Sequence, residues 1–282
     1  LFIVTEDWYF ISHRLKLAKY LIRKGFEVSV CCKDTGKTND IERNGIAYFS
    51  LNIDRKSLSF IKFFRESFAI IKILKKIEPD IVHLISMRPI ISGTLAALFV
   101  KSKFCATFTG MGFLFINKNL KIFIVRQIII FYLKVFLKFK SLFFVVQNKD
   151  DEEFCKKELY CSHNKISLIR GSGVDIKFHS FLKQPKYPPV TFSFVGRLLE
   201  DKGFKILIDA FNLALKKNNK IQLLVAGSID KYNPSAVSED YLNKITYNKN
   251  IKWLKEVKDI REIWKKSHVA VLPSRREGLP MS

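Results

Sequence analysis

Residues 191–211, TFSFVGRLLEDKGFKILIDAF, limit the possible folds more tightly than any other stretch of the chain. Phe192, Phe194 and Val195 lie in a short apolar run of strand formers that stops at Gly196. A few residues later a helical pattern begins, with Leu207, Ile208 and Phe211 on one face. A buried strand opening directly into an amphipathic helix is the repeating unit of a parallel, helix-covered sheet. It also sets backbone N–H groups and the positive end of a helix at the sheet's carboxyl edge, where open α/β sheets bind ligands. Arg197 and Lys202 fall in this turn, a planar guanidinium and a point-like ammonium suited to gripping a diphosphate. An ordinary strand-to-helix turn with two solvated cations fits the same residues, and this stretch alone leaves both readings open.

The unit recurs along the chain. Strands are expected over residues 2–5, 28–32, 46–51, 81–85, 103–108, 141–147 and 166–169, and again over 191–195, 221–226, 251–254 and 269–272. Helices are expected from about His13 to Gly25, over 58–77, 90–100, 121–140 and 150–159, after Gly203, and over 260–266. The first turns Leu15, Leu17, Ala18, Leu21 and Ile22 inward, and 58–77 turns Phe60, Phe64, Phe68, Ile71 and Leu74 inward. Residues 6–12 and 230–240 read as loops. QPKYPP at 184–189 is Pro-rich and reads as a linker between domains 1–183 and 190–282. Leu1 already sits in a strand-like run and Ser282 follows a loop motif, so the chain reads as a piece cut at both ends, its second domain incomplete.

The chain has 282 residues, 48% of them apolar, enough for two cores. Its net charge of +23 calls for an anionic partner: a phosphorylated substrate, an acidic membrane surface or nucleic acid. No zinc-finger or RRM-type signature is present and the cations are interleaved with Ile, Leu and Phe, so no nucleic-acid partner is expected. An AT-rich genome also yields this Lys, Ile, Phe and Asn content. Cys31, Cys32, Cys105, Cys155 and Cys161 show no C-x-x-C pairing and read as reduced thiols of a cytosolic protein.

Between residues 81 and 149 there is no Asp or Glu. Within that region the helix expected over Lys121 to Lys140 places Ile124, Ile128, Tyr132, Val135 and Phe136 on one face, with Arg126, Lys134 and Lys138 roughly opposite. Its uncharged apolar runs fall short of the ~18 residues a membrane-spanning helix needs. Two readings stand: a core helix with solvated lysines, or a helix docked on an anionic membrane surface. Phe123, Ile130 and Leu137 on the basic arc need cover and tilt the reading toward the membrane.

PSRREGLPMS at 273–282 follows another buried strand and so lies at the same sheet edge as Gly196 and Arg197. A glycine there lets backbone approach a ligand, and a carboxylate beside arginines can accept hydrogen bonds from sugar hydroxyls. In combination, GSGVD at 171–175, FVGRLLEDKG and SRREGLPMS resemble the retaining glycosyltransferases of family 4. TEDWYFISHRLKLA and FTGMGFLF are similar to the branch that builds bacterial surface or lipid-linked glycans, such as lipopolysaccharide or capsule. The resemblance covers essentially the whole chain. It implies an α/β, GT-B fold: two Rossmann-like doubly wound domains facing a cleft, with acceptor bound by 1–183 and nucleotide sugar by 190–282.

Carried over position by position, the resemblance implies that Arg197 and Lys202 grip the donor diphosphate. Glu277 becomes the first of the family's two motif glutamates and contacts the donor sugar. Gly196, Gly278 and Leu279 add backbone contacts. Arg197, Lys202 and Glu277 would thus carry the catalysis. The second motif glutamate, which holds the ribose in the family, would fall just beyond Ser282. Many members place a histidine after the strand matching 103–108. Here the residues are Thr107, Phe108, Thr109 and Gly110, and the role would pass to Thr109 or the Gly110 backbone. Asp7, His13 and Arg14 open a helix at the cleft, and His13 and Arg14 suit an acceptor phosphate; Arg88, after strand 81–85, is a similar candidate. His13 reads equally as a helix residue without a ligand, His83 as a satisfied core histidine, and Ser172 and Asp175 as either turn caps or cleft lining.

The implied reaction moves a hexose or N-acetylhexosamine from a nucleotide sugar, taken as UDP-linked, to a lipid-linked or growing glycan acceptor. It retains configuration and uses no cofactor or bound metal. It would run in the cytoplasm, peripherally on the inner face of the cell membrane, with Lys121 to Lys140 on the anionic lipid. Paired carboxylates placed for glycosidase chemistry are not evident. The rivals are a UDP-sugar 2-epimerase on the same fold and a truncated remnant that only binds membrane.

Overall fold

The computed structural model describes residues 1–54, 59–109, 119–230, 233, 235–275 and 279–282. The chain divides into two compact units, residues 1–172 with 278–280 and residues 173–277 with 281–282, a division upstream of the Pro-rich 184–189.

In the first unit, β1 (Phe2–Glu6), β2 (Ser29–Lys33), β3 (Ala47–Ser50), β4 (Ile81–Ile85), β5 (Lys103–Thr107), β6 (Leu142–Val146) and β7 (Ile166–Leu168) form one sheet. Its order is β3-β2-β1-β4-β5-β6-β7, with the strands parallel. Its inner strands are nearly continuous apolar runs because both faces are covered. Phe2, Val4, Val30, Cys32 and Ile85 point to one side, where they meet Phe10 of α1 (Asp7–His13), Ala18 of α2 (Leu15–Arg23) and Ile41 of α3 (Thr38–Glu42). Ile3, Cys31, Val82 and Leu84 point to the other side. There they meet Ile70 and Leu74 of α4 (Phe60–Ile77), Ile90 and Ala96 of α5 (Met87–Ala97), Ile130 and Leu133 of α6 (Leu120–Phe139) and Phe154 of α7 (Lys149–Lys157). Strand order reverses between β1 and β4, and such a reversal opens a crevice at the strands' carboxyl ends. All five cysteines are free, and burial pushes the thiols of Cys31 and Cys32 up to about 12.

The second unit repeats the plan with β8 (Val190–Val195), β9 (Ile221–Ala226), β10 (Ile251–Trp253) and β11 (Val269–Ala270), ordered β10-β9-β8-β11 and parallel. The reversal here lies between β8 and β11. Its helices are α8 (Phe204–Lys217), α9 (Glu239–Thr246) and α10 (Arg261–Trp264), and its core is built around Phe194, Phe204, Leu207, Ile208, Phe211, Leu223 and Val225.

The structure corrects several expectations. Residues 7–12 are not a loop but most of α1, and α3 and α9 are helices that periodicity did not announce. On α4, Phe60, Phe64 and Phe68 are 64%, 49% and 64% exposed, while Ile70, Leu74 and Glu66 face inward. Glu66 fixes that rotation. Its carboxylate accepts from Arg88 Nε at 2.7 Å, Ser92 Oγ at 3.0 Å and the Asp54 N–H at 3.1 Å, which offset the cost of burying a charge. On α6, Ile130 and Leu133 face inward and Ile124 and Ile128 outward, while Tyr132, expected on the same face as Ile124 and Ile128, packs against the core. Tyr132 sets this rotation by donating its hydroxyl to the Ile91 carbonyl at 2.8 Å.

Candidate active site

In the first unit the crevice at the β1/β4 reversal is furnished by α1, the end of β4 and the end of β5. Arg14 links α1 to α2: its N–H donates to the Phe10 carbonyl at 2.8 Å, and its own carbonyl accepts from the Ala18 N–H at 2.9 Å. Arg14 is 7% exposed, and its Nε and one terminal nitrogen are buried without a hydrogen-bond partner among the described residues. Its other terminal nitrogen reaches Ser172 Oγ at 3.5 Å. Burial pulls the guanidinium pKa down, opposed by its interactions with Tyr9 and Cys105.

The surroundings are aromatic and polar. The His13 ring stacks on Tyr9 with centroids 4.3 Å apart, and its Nδ1 lies 2.6 Å from Ser12 Oγ. Tyr9 in turn bonds the Thr109 side chain. Burial first and the Arg14 charge second hold the His13 pKa below the usual imidazole value. His83 pairs with Thr107 Oγ1 at 2.6 Å, and burial takes its pKa down to about 3, so it is a neutral, satisfied histidine. Ser86, just past β4, has φ 78°, a strained backbone of the kind that clusters at ligand sites and that sequence reasoning did not single out.

Two expected acceptor residues are placed otherwise. Asp7 is fully buried, and its carboxylate accepts from the N–H groups of Trp8, Thr35 and Lys37 and from the Thr35 hydroxyl. It ties α1 to the segment after β2 and offers nothing to a ligand. Burial alone would raise its pKa, but these hydrogen bonds outweigh that and hold it below the usual carboxylate value. Arg88 carries its own counter-charge in Glu66. Thr109 is half-buried beside Tyr9, and Gly110 lies outside the described residues.

In the second unit the β8/β11 reversal brings together the two stretches singled out above. The Gly196 N–H bonds the Ala226 carbonyl at 3.0 Å, and a Cβ on Gly227 would fall 1.9 Å from the Gly196 carbonyl oxygen, so no side chain fits there. Arg197, 47% exposed, reaches Asp230 Oδ2 at 3.1 Å, a partner that sequence reading did not identify. Lys202 ends a short 3-10 turn, and Gly203 follows with φ +69°. A Cβ on Gly203 would lie 2.1 Å from the Pro273 carbonyl oxygen, so this glycine is required twice, for its backbone angle and for the close approach of the PSRR segment. The Arg275 N–H then donates to the Asp201 carbonyl at 3.1 Å. The DKG turn and residues 273–275 are therefore one structure, with Lys202 and Arg275 carried on it. Glu277 and Gly278 lie outside the described residues, and Leu279 is exposed and groups with the first unit. Asp175 caps its own turn by accepting from the Lys177 and Phe178 N–H groups at 3.0 and 3.2 Å.

Among the described residues, no cluster of His, Cys, Asp and Glu could hold a metal ion, and no helix is long and apolar enough to cross a membrane.

Comparison with known proteins fits this geometry. The chain is 28% identical over 270 residues to an Escherichia coli UDP-Gal:alpha-D-GlcNAc-diphosphoundecaprenol alpha-1,3-galactosyltransferase, covering 91% of this chain and 68% of that one. It is 27% identical over 296 residues to a Campylobacter jejuni N,N'-diacetylbacillosaminyl-diphospho-undecaprenol alpha-1,3-N-acetylgalactosaminyltransferase, covering 97% and 76%. A crystal structure of a glycosyltransferase from Rickettsia africae superposes with a TM-score of 0.70 at 18% identity, over 97% of this chain and 73% of that one, which shows the shared fold. Residues 189–282 match the family described as glycosyl transferases group 1. Residues 1–147 match the family described as glycosyl transferase 4-like, and the chain belongs to that family, a glycosyltransferase of the GT-B class.

Proposed function

We propose that this enzyme moves a hexose or N-acetylhexosamine from a UDP-linked donor to a lipid-linked diphosphate acceptor, with retention of configuration, at the cytoplasmic face of the membrane. The observation that carries the reading is Arg14. A guanidinium that is buried, with two nitrogens unmatched among the described residues, calls for an anion from outside the chain. The acceptors named for the Escherichia coli and Campylobacter jejuni relatives are diphosphate-linked lipids. Such a diphosphate supplies that anion.

His13, neutral near pH 7, would donate to the same phosphate and take up a proton as the anion approaches. Thr109 and Gly110 would add hydroxyl and backbone contacts. At the second unit's edge Arg197 and Lys202 would hold the donor diphosphate, with Gly196 giving backbone access; Leu279 keeps the backbone role the family resemblance implies. Charge develops on the departing UDP, and fixed cations aimed at it lower the barrier without reorganising. Asp230 keeps the Arg197 fork in place until phosphate competes for it. Glu277 and Gly278 keep the donor-sugar roles the family resemblance implies. No residue is needed on the second face of the sugar, as an epimerase would require.

The test is transfer by the full-length enzyme from UDP-galactose or UDP-N-acetylgalactosamine to an N-acetylhexosamine-diphospholipid. Arg14→Met should lower transfer about 100-fold or more, the loss of ~3 kcal/mol of charge-assisted contact, with UDP affinity unchanged. Wild-type transfer by this variant would remove the acceptor assignment. Release of an epimerised sugar from donor alone would favour the 2-epimerase instead.

A further inference from the structure

Phe60, Phe64 and Phe68 recur at every fourth position along the outer side of α4, with Ile61 beside them, and all four are exposed. On α6, Leu120, Phe123, Ile124, Ile128 and Phe131 are exposed in the same way. The two helices both pack on the largely buried α5 and meet where Phe63 approaches Tyr132 edge-on, with centroids 5.6 Å apart. Both send residues into one core cluster against the same face of the sheet. Two adjoining apolar stripes of this kind form a larger patch than a water-facing surface normally carries.

The exposed charges carried by the two helices themselves have one sign, and the nearby Asp54 is paired with Lys62 of α4 at 2.7 Å. α6 contains no acid, and the single acid of α4, Glu66, is buried on Arg88. Lys72, Lys75 and Lys76 on α4 and Lys121 and Lys138 on α6 are exposed. We infer that α4 and α6 together form one docking surface for an anionic lipid bilayer, with Phe60, Phe64 and Phe68 entering the acyl boundary and the lysines at headgroup level. A second copy of the chain suits the surface poorly, because pairing would set like charge against like charge. The inference extends the membrane part of the reading above from α6 to α4 and rests on it. It is tested without any transfer reaction, so the two fail separately.

The experiment is sedimentation of the full-length protein with vesicles of phosphatidylglycerol and phosphatidylcholine, or of phosphatidylcholine alone, in the absence of donor. The wild type should bind the anionic vesicles at least about tenfold more tightly than the neutral ones. The triple variant Phe60→Ser, Phe64→Ser, Phe68→Ser should lose about tenfold or more of that binding. Its far-UV circular dichroism and thermal melt should stay at the wild-type values, which shows that the first unit is folded. A second variant, Lys72→Gln with Lys75→Gln and Lys76→Gln, should bind less at low salt and converge with the wild type at high salt. Wild-type vesicle binding by the serine variant overturns the inference. So does a wild-type dimer that the serine variant breaks, or retention of the wild type by an acidic protein with no vesicle binding.

Discussion

Arg14 and Arg197 hold corresponding places, each following the first strand of its sheet where strand order reverses, yet they are opposite kinds of cation. Arg14 is buried, with two nitrogens unmatched among the described residues; Arg197 is half exposed and paired with Asp230 at 3.1 Å. An exposed pair like the second contributes about 0–1 kcal/mol and exchanges partners easily. A buried, unmatched guanidinium costs stability in the free protein and is strengthened by low dielectric when its anion arrives. On the function proposed above, one edge would hold a single charged group and the other would release its partner on each turnover.

The contrast can be broken in four ways, from the largest expected effect to the smallest. Glu66→Ala would take from Arg88 the carboxylate it pairs with at 2.7 Å, and should destabilise the protein by about 3–5 kcal/mol in urea unfolding. A loss under about 1 kcal/mol would mean that burial does not separate these arginines. Arg14→Met should do the opposite in the same experiment, leaving the unfolding free energy unchanged or raising it by up to about 4 kcal/mol, because a charge without a partner is removed. A clear loss of stability would show that Arg14 is structurally satisfied.

Asp7→Asn, next, should cost about 1–3 kcal/mol at neutral pH. Its folded pKa lies below the unfolded value, so the unfolded state binds more protons between the two and stability rises with pH there. The contribution is complete above the unfolded pKa and is lost as pH falls through the folded one. Thermal melts should therefore show the gap between wild type and Asp7→Asn narrowing as pH is taken down toward about 3. A gap independent of pH would contradict the hydrogen-bonded carboxylate. Smallest in stability, Arg197→Ala should shift the unfolding free energy by no more than about 0.5 kcal/mol while weakening UDP binding about tenfold in titration calorimetry. Unchanged UDP affinity would mean that the donor clamp lies elsewhere.

The sheets were legible in advance because strands covered on both faces are apolar throughout, and LFFVV or IQLLVA admits few alternatives. The β8/β11 edge was legible for a related reason: Gly196, Gly203 and residues 273–275 sit at fixed offsets from strands that can be recognised locally. Helix faces were harder. α4 carries phenylalanines at 60, 64 and 68 and aliphatics at 70 and 74 on different sides, so periodicity finds an apolar stripe whichever side is buried. Glu66 decided the matter through partners 12, 22 and 26 residues away in sequence. α1 was hidden because DWYFISH has few helix formers, and Asp7 holds its start through Thr35 and Lys37.

The amino-acid sequence by itself determined the strand-and-helix alternation, the two-unit plan, the family and the turn that carries Arg197 and Lys202, since each depends on residues close together in the chain. Only the tertiary structure decided which arginines are already satisfied, that Asp7 is a tether, and that the phenylalanines of α4 face outward. These depend on which polar groups meet across the fold, where the cost of burying an unmatched charge exceeds that of exposing a phenyl ring.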